Sequence, residues 1–598
     1  MRNVTLLFFL LVFAGPAFSA DYLFRDGRSD YSIVVSPDAS ASERTAAAEL
    51  QYYVNQVGNV ELPVVGSPQP GGRHVYVGYD EALGLLIHAE RPADDDESFT
   101  YRTVGHDLFI YGGSQRGTMY GVFSFLEQRL GVRWYTSDFT RIPKLSKFKL
   151  GQLSHTEHPT IGYRFDYYYQ AVRDRAWMAH NLLNTTHSVS DGKYGRFSSY
   201  WGSHTFGKLI PASDYFASHP EYFGVYKGKR SENTQLCLSN NEMCNELIRN
   251  LKKVISEKPG YWCYDVSQND NSFPCECAEC AELVRRYGGQ SGAILWFVNK
   301  VAAEIGKAFP DVLIGTLAYR YTRQAPTSEI RPAANVVIRL CDIECCMAHP
   351  LNECEQNKAF WADLTAWKLK TGNICIWDYT TGFQHYLLPF PNFGVLAANF
   401  QFLSQNNAVG ILELGSYDAP WNEFSELKQW MIAKLLWNPK QDTDLLASLF
   451  ISDYYGAAAR YVQRYYELCR KQVTDDTHFT IKVDWKANLY TDRFVADASK
   501  LLAKAASASS DDETRRRVDR LVAQIAYLQL RQHPTRSFTD GTAQKLVDIV
   551  RRDSTIVREH GYDIDKLIDE TGYQRLIRMG ALLFIAGVAA WPWRKRKS

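Results

Sequence analysis

The sequence predicts an α/β protein: a (β/α)8, TIM-like barrel with an N-terminal α/β domain and a C-terminal all-α domain. Three observations carry this expectation. Residues 160–437 alternate strand patterns with helical ones. The segment before them reads as a self-contained set of strands and two helices. Beyond residue 440 only helical spacing remains. With 598 residues the chain is too long for one ordinary core, so several domains are expected.

Residues 1–20, "MRNVTLLFFLLVFAGPAFSA", place one Arg before an apolar run, then Gly15-Pro16 and small residues. That is a signal-peptide pattern, and it predicts export to the periplasm or cell surface. Residues 21–150 form the predicted α/β domain. "YSIVVSP" and "RHVYVGY" read as strands flanking an amphipathic helix, and "FTYRTVGHDLFIYGG" reads as a hairpin. Residues 151–439 form the predicted barrel. Its eight strands are read at "GYRFDYYY", "LLNTTHS", "YFGVYKG", "YWCYDVS", "LIGTLAYR", "NVVIRLCD", "NICIWDY" and "VGILELGS". An open doubly wound sheet is the alternative that periodicity leaves open. Residues 440–578 read as helices. Residues 579–598 close with about 15 apolar residues and "RKRKS", either a short membrane anchor or a buried terminal helix.

The formal net charge is +1, which excludes a nucleic-acid partner bound through a broad basic surface. Aromatic residues make up 14% of the chain, with 14 Trp and 36 Tyr, and such rings stack on the apolar faces of sugars as well as on each other. A glycan is the expected partner, with membrane association through the C-terminal segment as an added expectation.

Barrel enzymes work where strands end and loops begin. That rule selects Asp166, Asp270, Glu344, Asp378 with Tyr379, and Glu413. Aromatic and polar residues gather in the same loops, among them Trp201, His204, Tyr319, Trp377 and His385. Acids among aromatics suit glycoside hydrolysis, in which one carboxyl protonates the leaving oxygen. Each acid alone equally fits a helix cap or an Arg partner. "SQNDNSFPCECAEC" brings Cys275, Cys277 and Cys280 within six residues. Zinc would need a fourth ligand, from Cys263, Cys341, Cys345, Cys346, Glu276 or Glu279, whereas export favours disulfides. No metal site and no cofactor is assigned, and the cysteines are read as support for the loop carrying Asp270.

"GGSQRGTMYGVFSFLEQRLGVRWY" resembles the end of the small domain that precedes the barrel in family 20 hexosaminidases and family 67 α-glucuronidases. "HPEYFGVYKGKR", "QLCLSNNE", "TLAYRYTRQAP", "IRLCDIECCMAHPL", "IWDYTTGFQHYLLPFPNF" and "ELGSYDAPWNEFSELKQWMIAKLLWNP" resemble the bacterial domain of unknown function 4838, glycoside hydrolase family 163. The resemblance spans roughly residues 75–440. It implies an endo-β-N-acetylglucosaminidase that cleaves the GlcNAc-β1,4-GlcNAc core of complex N-glycans by a retaining, substrate-assisted mechanism. Related hexosaminidases place an acid pair after the fourth strand; here that position reads Asn269-Asp270, with Glu344 as the competing acid. Asp270 and Glu344 are thus the catalytic candidates. Asn269, Trp201, His204, Tyr319, Trp377, Asp378, Tyr379, His385 and Glu413 are the substrate-binding ones. A non-catalytic glycan-binding protein and an inverting α-glucuronidase-like hydrolase, which would need a basic pocket, are the alternatives.

Overall fold

The computed structural model describes residues 22–188 and 192–572. The signal-peptide pattern and the apolar C-terminal segment lie outside these residues. Among the described residues no helix is long and apolar enough to cross a membrane. The chain divides into two compact units.

The first unit reaches Arg133 and includes Arg141–His158. Its sheet has six strands, ordered Ser154–Glu157, Phe99–Val104, Asp107–Gly112, Arg73–Val77, Tyr31–Val35 and Val64–Val65. The predicted hairpin is present, with Phe99–Val104 antiparallel to Asp107–Gly112. Helix Ala41–Gly58 starts at Ser40, whose side chain and that of Glu43 form a reciprocal capping box. It buries Ala46, Ala47, Leu50, Val54 and Val57, the three-to-four spacing of one helix face. In helix Gly117–Leu130, a Cβ at Gly117 would fall 2.6 Å from the Asp96 and Ser98 carbonyl oxygens. Only glycine allows that approach.

The second unit contains the barrel. Its parallel strands are Tyr163–Tyr167, Thr185–Thr186, Ser198–Trp201, Cys263–Asp265, Leu313–Ala318, Val336–Cys341, Ile374–Tyr379 and Ala408–Leu414. The first pairs with the eighth in register Tyr163↔Gly410 through Tyr167↔Leu414. Between the first and second strands a side chain does much of the pairing. Asn184 Oδ1 accepts from the Arg164 backbone N–H at 2.8 Å, and its amide donates to Gly162 O at 2.6 Å. The ring is nearly closed, and the strands from the fifth to the seventh are almost wholly buried and largely apolar, as a sheet covered on both faces requires, with Arg339 and Asp378 as their charged members.

The third strand is a correction. "YFGVYKG" does not enter the barrel; Val225–Tyr226 turns back antiparallel onto Lys229–Arg230. The two residues between, Lys227 and Gly228, have φ of 49° and 75°. Paired positive φ is the signature of a tight two-residue hairpin, which reverses the chain before a barrel strand can form. Ser198–Trp201 takes the third place instead.

Helices Thr443–Tyr455, Ala459–Arg470, Asp492–Ala508, Asp512–Gln532 and Thr542–Arg552 follow within the same unit. They are tied to the barrel by hydrogen bonds from Trp421 Nε1 to Asp553 O at 3.2 Å and from Thr555 Oγ1 to Trp421 O at 2.7 Å. Beneath them Lys428 and Glu423 form a fully buried ion pair at 2.6 Å.

Candidate active site

Five carboxyls sit buried where barrel strands end: Asp166, Asp265, Asp342, Asp378 and Glu413. Alternation within each strand aims these side chains inward, and the parallel register sets Asp378 beside Glu413 and Glu413 beside Asp166. Asp265 accepts from the Tyr200 hydroxyl at 3.0 Å and from Thr205 Oγ1 at 3.1 Å. Tyr200 can lie there because residue 315 is glycine: a Cβ would fall 1.8 Å from its hydroxyl oxygen.

Asp342, Asp378 and Glu413 form a buried acidic group. The oxygens of Asp342 and Glu413 meet no N–H or hydroxyl donor. Both lie close enough to Asp378 for its charge to act on them. Burial pushes Asp342 and Glu413 well above the usual carboxylate range, and the charge of Asp378 adds to the rise. Burial raises Asp378 to about 6, moderated by the Tyr379 backbone N–H, which it accepts at 2.6 Å, and by its two carboxyl neighbours. The Arg339 guanidinium lies below, 3.3 Å from the Tyr200 ring centroid and 5.1 Å from that of Trp377.

Above this floor opens a cleft of about 690 Å³, within the range of ligand pockets. Trp377 and Tyr379 line it, stacked at 6.4 Å, as do Tyr167 and Tyr417, stacked at 5.2 Å. Two carboxyls of different character reach it. Asp270, after the fourth strand, is exposed; it accepts from the Tyr319 hydroxyl at 3.1 Å and lies 3.8 Å from the Arg320 guanidinium. Glu559, from the helical segment, is 26% exposed and accepts from the Tyr417 hydroxyl at 3.1 Å. Burial raises its pKa, and the charges of Asp418 and Asp270 add to that rise while His560 opposes it. Arg320, Lys482, Arg558 and Lys566 make the rim basic. His204, Arg320 and His560, all lining the cleft, have φ of 52°, 51° and 65°. Such backbone costs about 1–3 kcal/mol per residue and gathers where a site must be held in shape.

The structure brings Asp270, His204, Tyr319, Trp377 and Tyr379 into one cleft. Asp378 and Glu413 lie buried beneath it. Glu344 does not line the cleft and pairs with Arg323 at 2.9 Å, which also holds Asp363 at 2.7 Å. Asn269 is spent on the loop, its Oδ1 accepting from the Gly207 N–H at 2.8 Å. Trp201 packs against Tyr264 at 6.1 Å. His385 Nδ1 meets the Tyr527 hydroxyl at 2.7 Å in a neighbouring pocket, and burial lowers its pKa to about 4. Sequence reasoning missed Glu559, Arg558 and Lys566. The one local signal is "VREHGYD", a charged turn interrupting helical spacing.

The family described as Domain of unknown function (DUF4838) matches residues 134–467, more than half of the chain. The chain belongs to the DUF4838 family. No curated protein sequence matches it. Among solved structures, a family GH115 4-O-methyl-α-glucuronidase with specificity for decorated arabinogalactans is similar at TM-score 0.59 and 12% identity, over 88% of this chain and 76% of that one. A GH138 enzyme targeting pectin rhamnogalacturonan II matches at TM-score 0.43 and 10% identity, over 93% of this chain and all of the other. At such identity the first likeness speaks for the fold of this DUF4838 chain. The family match covers both the barrel and the first of the later helices, but ends before Glu559.

Proposed function

We propose that this DUF4838 protein is an exported glycoside hydrolase, an endo-β-N-acetylglucosaminidase acting on the GlcNAc-β1,4-GlcNAc core of complex N-glycans. The observation that carries the reading is the pair of unlike carboxyls facing one aromatic cleft, Asp270 and Glu559. Sites that run acid and base chemistry together hold such groups in different environments. Glu559, whose pKa burial raises, is the carboxyl suited to give a proton to the leaving oxygen and later take one from water. Asp270 is an exposed carboxylate steadied by Tyr319 and Arg320, and it orients the 2-acetamido group of the sugar. The acetamide oxygen then attacks its own anomeric carbon, so no enzyme nucleophile is needed. Trp377, Tyr379, Tyr167 and Tyr417 supply stacking faces. The resemblance of the barrel-loop motifs to family 163 supports the choice of bond.

The basic rim favours a second reading, a hydrolase of uronic-acid-bearing glycans. Arg320, Lys482, Arg558 and Lys566 would hold a sugar carboxylate, and the similar GH115 fold belongs to a glucuronidase. One experiment separates the readings: incubate the protein with a biantennary N-glycoprotein and, separately, with a glucuronic-acid-decorated arabinogalactan, and analyse products by mass. Free glycan ending in one GlcNAc supports the first. Released uronic acid supports the second. Bound but uncut glycan in both sinks hydrolysis in favour of a glycan-binding role.

A further inference from the structure

Four cysteines from two distant segments converge beside the loop that carries Asp270. Cys275, Cys277 and Cys280 are met by Cys237, and all four sulfur atoms lie within 4.8 Å of one another. None of the fourth ligands considered from sequence takes that place; Cys263, for example, packs in the barrel interior with Tyr200 and Val337. Cys237 Sγ is 3.8 Å from both Cys277 Sγ and Cys280 Sγ. At a Zn–S bond of about 2.3 Å, the edge of a ZnS4 tetrahedron is about 3.8 Å, whereas a disulfide needs about 2.05 Å. The surrounding backbone already points at the sulfurs. Val225 N–H donates to Cys275 Sγ and Cys280 N–H to Cys277 Sγ, each at 3.4 Å. Donors of this kind stabilise thiolates and fix ligand orientation.

A second cluster stands on its own observations. Cys346, His349, Cys354 and His478 also place four ligand atoms within 4.8 Å. Cys346 Sγ lies 3.3 Å from His478 Nδ1 and 3.7 Å from His349 Nδ1, and Cys354 Sγ lies 3.7 Å from His478 Nδ1. Tetrahedral zinc with one S and one N ligand gives an edge of about 3.6 Å. His349 Nε2 meets the Thr474 carbonyl at 3.0 Å, where it can only donate. Its proton is therefore on Nε2, and the Nδ1 lone pair faces the sulfurs, the tautomer a metal ligand requires.

We propose that the protein binds two structural zinc ions, one on Cys237, Cys275, Cys277 and Cys280, and one on Cys346, His349, Cys354 and His478. On binding, the thiols release their protons to solvent and no redox partner is needed. Both sites have four protein ligands, so neither has an open position for catalysis. The first braces the Asp270 loop. Gln235, two residues before Cys237, grips that loop through the Asn269 carbonyl at 2.8 Å and the Asn271 side chain at 2.9 Å, and accepts from the Asn269 N–H at 2.9 Å. The second ties the loop after the sixth strand to the segment carrying His478.

This loop-bracing role rests on the functional reading above, so the test reads metal and not activity. Full-length protein purified without added metal is analysed for bound metal by mass spectrometry and, after denaturation with chelator, for free thiols. Two zinc equivalents per chain and no disulfide are expected. Cys277→Ser and His478→Ala should each leave one equivalent, and together none. Cobalt replacement gives a second readout, since tetrahedral S4 and S2N2 sites have distinct visible spectra. Fewer free thiols with no metal would replace the first site by disulfides and overturn the proposal there. Full metal retention in either variant would overturn the corresponding site.

Discussion

The Tyr417 hydroxyl donates to Glu559 across 3.1 Å, joining the loop after the eighth barrel strand to a turn that lies 142 residues further along the chain. The same turn is anchored a second time, by the His560 N–H to Asp418 Oδ2 at 3.0 Å. The barrel thus acquires a carboxyl that its own strands do not supply.

Glu559→Gln should lower glycan hydrolysis by about 10²–10⁴ with the fold intact, because it removes the transferable proton while keeping the shape. Asp270→Asn should do the same. Circular dichroism checks the fold, and mass analysis of released glycan checks turnover. Near-normal turnover in both variants would defeat this assignment of the site.

Glu344→Gln should leave turnover within about threefold of the parent, since Glu344 lies outside the cleft and its exposed ion pair with Arg323 is worth about 0–1 kcal/mol. A loss as deep as that of Glu559→Gln would return Glu344 to the chemistry.

The stability contributed by the three buried carboxyls should fall as pH rises from about 4 through about 6. Asp342, Asp378 and Glu413 have folded pKa values above the ordinary carboxylate value, so the folded protein holds more protons than the unfolded chain in that window. Their contribution is complete below the unfolded pKa and is lost as each ionises. His187, which burial lowers to about 4, acts in the opposite sense, losing stability as pH falls below about 6.5. The comparison that isolates the carboxyls is Asp342→Asn against the parent. The amide removes one titrating group from the buried acidic set, so Tm measured from pH 5 to 8 should decline less steeply in the variant.

Lys428→Met should destabilise by about 3–5 kcal/mol, because it strands the Glu423 carboxylate in a fully buried site. Lys428 also donates to the carbonyls of Thr380 at 3.1 Å and Phe390 at 2.8 Å. Adding Glu423→Gln should recover part of the loss in urea melts; no recovery would mean that the carbonyl contacts dominate.

The barrel was legible wherever a strand is a mainly apolar, buried run, as in Val336–Cys341 and Ile374–Tyr379. It was illegible where local chemistry overrides hydrophobicity. "YFGVYKG" reads as a strand until the positive φ of Lys227 and Gly228 folds it on itself, while "SSYW" is too short and too polar to announce one. Of the buried strand-end acids, Asp166, Asp378 and Glu413 were found by the same periodicity, and Asp270 in the loop after the fourth strand, whereas Asp265 and Asp342 were not singled out. Glu559 and Cys237 were not, because each reaches its partners only through tertiary folding, which no local spacing records.

Asn184 gives the barrel a clasp. From the fourth strand round to the first, the ring is held by repeated backbone bonds, any one of which can break without parting the strands. At this seam one amide side chain stands in for much of that redundancy, so exchange of protected amides should begin there. A ring parted at the clasp would offer two bare strand edges, and bare edges recruit neighbouring chains. One asparagine side chain therefore holds together the edges of the ring whose strand ends carry the cleft.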